Sequence, residues 1–184
     1  MSIISFSEDE KSIEEIWNWY EDQIEALRDF RYKVISAVSS PKIQVNEKFF
    51  NLTLAEIEEY FSDSEEELEH LVSLNLVSAT EALLRLDFLR KVEAKDKSDL
   101  GRIFRNIQKD KGNRVSLETD IIDNWNAIVS TSKTDFSNFI ALLRYRHWLA
   151  HGRYWNPKLG RGYDALTTYA ITEKIFEIVK VTVV

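Results

Sequence analysis

One short stretch of the 184-residue chain, Ala141 to Gly162, gathers the side chains best suited to chemistry, ALLRYRHWLAHGRYWNPKLGRG. It contains His147 and His151, two of the three histidines in the sequence. Histidine has an ordinary pKa of about 6.5, so it can accept or release a proton near neutrality. The arginines of the stretch offer a fixed positive fork that matches phosphate oxygens. The stretch therefore predicts proton transfer beside a bound anion.

The charge of this stretch is opposite to that of the chain. The formal net charge of the protein is −7, and no Asp or Glu occurs between Phe136 and Tyr163. The same interval contains five basic residues, Arg144, Arg146, Arg153, Lys158 and Arg161, so the difference between −7 and +5 leaves −12 on the remainder. Such a local reversal of sign is typical of an anion-binding face. We expect Arg144, Arg153, Lys158 and Arg161 to contact phosphate, although a solvated basic face is the alternative.

The order Arg146, His147, three further residues, His151 and Gly152 resembles the signature of the HEPN superfamily. Nuclease members of these helical proteins carry an arginine, four to six residues and a histidine, commonly with a polar residue directly after the arginine. Leu149-Ala150-His151-Gly152 also resembles the usual ending of the motif. The resemblance implies a metal-independent endoribonuclease that acts as a homodimer, with two motifs meeting at one composite site. Many such proteins are toxins of toxin–antitoxin pairs or defence components, often encoded beside a nucleotidyltransferase-like partner.

The resemblance assigns Arg146 and His151 to the catalytic pair and His147 to the polar position between them. Arg144, with six residues before His151, also fits the spacing. On a straight helix with about 100° per residue, Arg144, His147 and His151 share one stripe, whereas Arg146 lies about 140° from His151. Either Arg144 is the phosphate ligand, or the helix loosens before Gly152 and turns His151 toward Arg146. We favour Arg146, with Arg144 in support.

Metal-free cleavage of RNA can also be reached from the residues. It requires a base for the proton of the 2′-hydroxyl, an acid for the leaving 5′-oxygen and a cation against the phosphorane. Histidines and arginines supply these groups, and the expected product is a 2′,3′-cyclic phosphate. Two copies of His151 in a dimer would provide both proton carriers.

Other residues of the stretch have two interpretations each. His147 continues an apolar helical stripe, so a core or interface position is the alternative to a catalytic one. Tyr154, Trp155 and Trp148 suit stacking on RNA bases, but aromatic residues at such positions also serve packing or dimer contacts. Upstream, Glu81 either pairs with Arg85 at i,i+4 or orients an arginine or histidine of the stretch, and the sequence leaves both open.

Composition limits the remaining possibilities. The chain has no cysteine and only three histidines, so we expect neither a metal site nor a cofactor. The sequence contains no apolar run of about 20 residues, and its start, MSIISFSEDE, does not resemble a signal peptide, so we expect a cytoplasmic protein. We expect residues 1–184 to form one HEPN-like domain. A non-catalytic module that binds RNA, nucleotide or a protein partner through the same face is the main alternative, and a purely structural helical adaptor is a third.

The elements that must position these residues are helices, because apolar residues recur every three or four positions along most of the chain. The patterns predict an all-α bundle of five to seven helices, with a central helix that is apolar on several sides. In the first half of the chain the predicted boundaries are a capping box at Ser7 and Glu10 for the first helix, its stop at Ser39 to Pro41, an extended piece at 43–45, a short helix Leu54 to Phe61 and a central helix from Ser64 to about Val92. In the second half they are a helix capped by Ser98 and stopped at Gly112, a helix from Val115 to Val129, a helix capped by Thr134 and stopped at Gly152, and a last helix from Thr167.

Overall fold

The computed structural model describes residues 11–39, 46–129, 133–160 and 162–181. Within these ranges all regular structure is helical, which confirms the predicted all-α bundle of five to seven helices. The predicted cap at Ser7 and Glu10, the extended piece at 43–45 and Arg161 lie outside the described residues. The six α-helices are α1 (Ile13–Val38), α2 (Leu54–Glu93), α3 (Asp99–Lys111), α4 (Asp123–Ile128), α5 (Lys133–Ala150) and α6 (Ala165–Val181).

α1 begins with a capping box that the structure describes at Ser12 and Glu15. The Ser12 hydroxyl accepts from the Glu15 backbone N–H at 3.1 Å, and the Glu15 carboxylate accepts from the Ser12 N–H at 2.7 Å. These two bonds satisfy N–H groups that have no partner inside the helix. They also lower the pKa of Glu15 below its ordinary value.

α2 is one continuous helix of 40 residues, so the predicted break between Phe61 and Ser64 is wrong. Thr53 and Glu56 form the predicted capping box at its start. Ser64, predicted to begin a second helix, instead donates its hydroxyl hydrogen to the Tyr60 carbonyl oxygen at 2.8 Å. A serine whose hydroxyl donates to the carbonyl four residues earlier is compatible with a helix interior. Ser64 therefore matches the sequence pattern of a cap without starting a helix.

The core lies around α2, which contacts α1, α3, α5 and α6. This confirms its prediction as the central helix. Its buried side chains face three apolar clusters: one with α1 and α6, one with the end of α1 and the 3₁₀ turn Glu47–Phe49, and the largest with α3 to α6. Trp125, Phe136 and Phe139 are fully buried in the largest cluster and anchor α4 and the start of α5.

The helix predicted from Val115 to Val129 is present but irregular. A π-helical segment, Leu117–Ile122, leads directly into α4. Asp120 fixes the start of this segment, because its carboxylate accepts from the Ser116 N–H at 2.8 Å and from the Lys111 ammonium at 2.5 Å. These contacts, led by Lys111, lower the pKa of Asp120.

α5 begins at Lys133, so Thr134 lies inside its first turn and is not the predicted cap. It ends as predicted at Gly152, whose φ of 80° is readily available only to glycine. The Gly152 N–H donates to the Leu149 carbonyl at 3.4 Å and the Arg153 N–H to the Trp148 carbonyl at 3.2 Å. This pair of bonds is a Schellman motif, which closes the helix and turns the chain sharply.

α6 begins at Ala165, two residues before the predicted start at Thr167, and Asp164 caps it. The Asp164 carboxylate accepts from the Thr167 N–H at 2.6 Å, and these bonds lower its pKa. No helix in the described ranges has the length and apolar character needed to cross a membrane.

Candidate functional site

The last two turns of α5 carry the predicted site residues on its outer faces. Tyr145 is buried in the core, whereas Arg144 and His147 are exposed and Arg146 is half-buried. This pattern follows from the helical period, since Leu142, Leu143 and Tyr145 anchor the helix on the core. The exposure of His147 rules out the core alternative for this residue.

A cavity of about 570 Å³ opens beside this end of α5. Arg144, Arg146 and His147 line it from α5, and Lys158 lines it from the loop that follows. Trp155 lines it as well, as does Glu81 of α2. Six of the predicted site residues are therefore brought together around one space.

The charge of the cavity is positive. Four cationic side chains, Arg85, Arg144, Arg146 and Lys158, line it, against the two carboxylates of Glu81 and Glu118. An excess of two positive charges in a chain of net charge −7 makes this cavity an attractive position for a phosphate.

Glu81 forms the predicted i,i+4 pair and also lies close to Arg146. Its Oε1 atom accepts from Arg85 Nε at 3.1 Å, which is the predicted i,i+4 pair. Its Oε2 atom lies 3.9 Å from Arg146 Nε, a buried nitrogen that has no hydrogen-bond partner among the described residues. Glu81 thus attracts Arg146 toward α2 without a hydrogen bond, and the guanidinium, about a third exposed, remains open to the cavity.

His151 lies at the end of α5, next to the cavity rather than in its wall. Its backbone N–H still donates to the His147 carbonyl at 3.2 Å, so the helix does not loosen before Gly152. The ring centroids of His147 and His151 are 4.3 Å apart. His147 therefore lies between the arginines of the cavity and the exposed ring of His151, and the alternative in which a loosened helix turns His151 toward Arg146 is not what the structure contains.

Arg153, predicted to contact phosphate, points to a different place. Its guanidinium donates to His70 Nδ1 at 2.8 Å and pairs with the Glu67 carboxylate at 2.7 Å. Because a guanidinium can only donate, this bond requires an unprotonated Nδ1 on His70. Arg153 has a φ of 56°, so this clamp on α2 holds a strained turn directly after His151.

The two aromatic residues of the loop also differ. Trp155 is half-buried and lines the cavity, while Tyr154 is 83% exposed, does not line it and touches the Trp155 ring edge-on. Trp148 is half-buried, and its Nε1–H donates to the Trp155 carbonyl oxygen at 2.7 Å, which fixes the loop against α5.

Several cavity residues were absent from the prediction. The sequence predicts Arg85 only as the partner of Glu81. It places Ser116, Leu117, Glu118 and Thr119 at the start of an ordinary helix, whereas in the structure all five residues line the cavity. The Ser116 cap was the available signal, because it marks a helix start at the point where the cavity wall is formed. Their closeness to α5 depends on how the π-helical segment packs on α2, which no local pattern encodes.

Tyr145 is not suited to proton transfer near neutrality. Tyr145, between the two arginines in sequence, is only 4% exposed, and burial raises its pKa to about 12, so it stays protonated near neutrality. Among the described residues there is no cluster of three or more His, Asp or Glu side chains that could hold a metal ion. The arrangement can bind a phosphate and exchange protons with it through imidazole.

Comparisons of this chain with models of protein families, with curated proteins and with solved structures found no match.

Proposed function

We propose that this protein is a metal-independent endoribonuclease of HEPN type that acts as a homodimer. One observation carries the proposal: Arg144, Arg146 and His147 share a positively charged cavity with Lys158, and the His151 ring lies 4.3 Å from the His147 ring at its edge. This combination provides cations for a phosphate and imidazoles for its protons in one place.

In the proposed reaction an imidazole takes the proton of the 2′-hydroxyl, and the 2′-oxygen attacks the adjacent phosphorus. The bond from phosphorus to the 5′-oxygen breaks, and a second imidazole returns a proton to that oxygen. The products are a 2′,3′-cyclic phosphate and a 5′-hydroxyl. His151 acts as general acid or base, and Arg146, which the family resemblance favours, stabilises the charge of the phosphorane with support from His147 and Arg144. Because α5 does not loosen before Gly152, Arg144 shares the helical stripe of the two histidines and is the alternative arginine for this role.

The homodimer is the part of the proposal that comes from the family resemblance. The third histidine, His70, is held by Arg153 away from the cavity, so each subunit offers the imidazoles of His147 and His151. A two-fold axis close to the exposed end of α5 would bring two copies of His151 to one phosphate. A role as a toxin or defence effector, with an antitoxin or nucleotidyltransferase-like partner, is part of the same proposal.

The second candidate function is binding without cleavage, and the position of His151 favours it. His151 does not line the cavity, so RNA, nucleotide or a protein partner could occupy the basic space beside the imidazole of His147 alone. RNA would then bind with strong salt dependence and remain intact.

Cleavage of a mixed RNA pool by the purified protein in excess EDTA tests the nuclease. Replacing His151 by Ala removes a proton carrier and is expected to slow cleavage by about 10²- to 10⁴-fold. Arg146→Ala is expected to cost about 10²- to 10³-fold, as for other groups that stabilise developing charge.

The charge-matched control is Arg102→Ala, since Arg102 is exposed on α3 and pairs with Asp99. It should cleave like the wild type. Equal cleavage by wild type and the His151 variant, at matched thermal stability, would exclude the proposed role of His151. Intact RNA that stays bound to the wild type would favour the second function.

A further inference from the structure

The cavity beside α5 has an apolar half that a phosphate alone would not use. Besides its charged side chains it is lined by Leu117, Leu143, Trp155, Pro157 and Leu159. Its volume of about 570 Å³ falls within the range of about 300–1,000 Å³ for pockets that enclose small organic molecules. The lining therefore fits a ligand that joins an anionic group to a flat, largely apolar one.

Trp155 is the side chain in this lining that offers a large flat face. Its backbone carbonyl is held by Trp148 at 2.7 Å, and its ring lies 5.9 Å from the His147 ring. The preceding residues are held as well, through the Arg153 clamp to Glu67 and His70. The aromatic face is thus in position before a ligand arrives, which reduces the entropy lost on binding.

Three of the four cations of the lining come from helices. Arg144 and Arg146 come from α5 and Arg85 from α2, with Lys158 completing the set from the loop. Ser116, Glu118 and Thr119 add hydroxyl and carboxylate groups, which can bond to the amino groups of a base edge. An acidic peptide would satisfy the cations but would leave the apolar half without a ring to cover it.

We propose that the cavity is a nucleotide subsite, in which one unpaired base lies against Trp155 while its phosphate is bound by Arg144, Arg146 and Lys158. This inference rests on the proposed function, because it makes the bound nucleotide a neighbour of the phosphate that is cut. Base preference of the enzyme is then read inside this cavity, and Trp155 is a binding residue of the site.

Calorimetric titration of the wild-type protein with the four 5′-nucleoside monophosphates tests the subsite directly. Ribose 5-phosphate, which has the sugar and the phosphate but no base, is the comparison ligand. Stacking of a base on an aromatic side chain predicts that at least one nucleotide binds about fivefold to a hundredfold more tightly than ribose 5-phosphate. Trp155→Ala should remove this difference, and Trp155→Phe should keep part of it.

Tyr32→Ala is the matched control, because Tyr32 is an exposed aromatic residue of α1 outside the cavity lining, and it should retain the full difference. Equal affinity of the wild type for nucleotides and ribose 5-phosphate, or no binding of either, would overturn the subsite without any variant. A difference that survives in a folded Trp155→Ala protein would overturn the role of Trp155. Base-dependent binding by a protein that cuts no RNA would support the subsite and reject only the nuclease.

Discussion

Two ion pairs of the same form lie six residues apart on α2, one beside the cavity and the other in the core. Glu81 with Arg85 and Asp87 with Lys91 are both acid-to-base pairs at i,i+4. The first pair has side chains 22% and 46% exposed and lines the cavity. The second has side chains 5% and 9% exposed, with the Lys91 ammonium 5.3 Å from the centre of the Trp125 ring. Only the first pair can share its charges with a ligand.

The pKa of Asp87 shows what burial costs the second pair. Burial raises it above its ordinary value, although the hydrogen bond and the charge of Lys91 act in the opposite direction. Desolvation therefore outweighs the attraction between the two charges, as is common for buried pairs. The cavity pair remains in contact with water and avoids most of that cost, so the charged side chains there are free to serve binding.

The largest expected effect comes from breaking the buried pair on one side. Lys91→Met leaves the Asp87 carboxylate buried without its partner and should lower the free energy of unfolding by about 3–5 kcal/mol. Replacing both, with Asp87→Leu and Lys91→Met, should be near neutral or stabilising. Arg85→Met in the cavity pair should cost less than about 1 kcal/mol, since that pair is partly exposed. Urea denaturation measures all three.

The pH dependence of the Lys91→Met variant provides an internal check. The folded-state pKa of Asp87 is raised, so its charged form is costly above that pKa, and the cost disappears as pH falls and Asp87 is protonated. The stability gap to the wild type should therefore narrow as pH is lowered from 7 toward 4. A gap that does not change with pH would mean that packing, and not the unpaired charge, causes the loss.

A smaller effect is expected in the salt dependence of RNA binding. It should appear only in variants of residues that line the cavity. Removing one phosphate contact with Lys158→Ala should reduce the slope of log affinity against log salt by about 0.7 for single-stranded RNA. Arg85→Met should reduce it less, because Glu81 already neutralises part of the Arg85 charge. Arg102→Ala should leave the slope unchanged. Equal slopes for the Lys158 variant and wild type would place the RNA away from this cavity.

Much of the fold was predictable because the helix signals are local. The capping box of Thr53 and Glu56, the Ser98 cap and the Gly152 stop each depend on residues within a few positions, and each is found. The false break at Ser64 shows the limit of such signals. Whether a serine caps a helix or bonds back within one depends on packing of the neighbouring turns, which for α2 extends through Phe61 into the core.

The candidate site was predictable in its α5 and loop parts, and not in the wall formed by residues 116–119. Arg144, Arg146 and His147 are close in sequence, so helical geometry brings them together, and the loop places Lys158 and Trp155 opposite them. Arg153 followed the same charge pattern but was drawn to Glu67 and His70, more than 80 positions away. Contacts between residues so far apart in sequence depend on how α5 packs against α2, and they cannot be predicted from the spacing of residues along the chain.

The chemical nature of the RNA ends tests the central proposal most directly. The RNA pool is incubated with pure wild-type protein in excess EDTA, and the new ends are identified by mass spectrometry and by their resistance or susceptibility to kinases and phosphatases. Attack by the 2′-hydroxyl with imidazole proton transfer predicts 2′,3′-cyclic phosphate and 5′-hydroxyl ends, which His151→Ala forms about 10²- to 10⁴-fold more slowly. New 3′-hydroxyl and 5′-phosphate ends, or fragments that the His151 variant forms equally well, would contradict it.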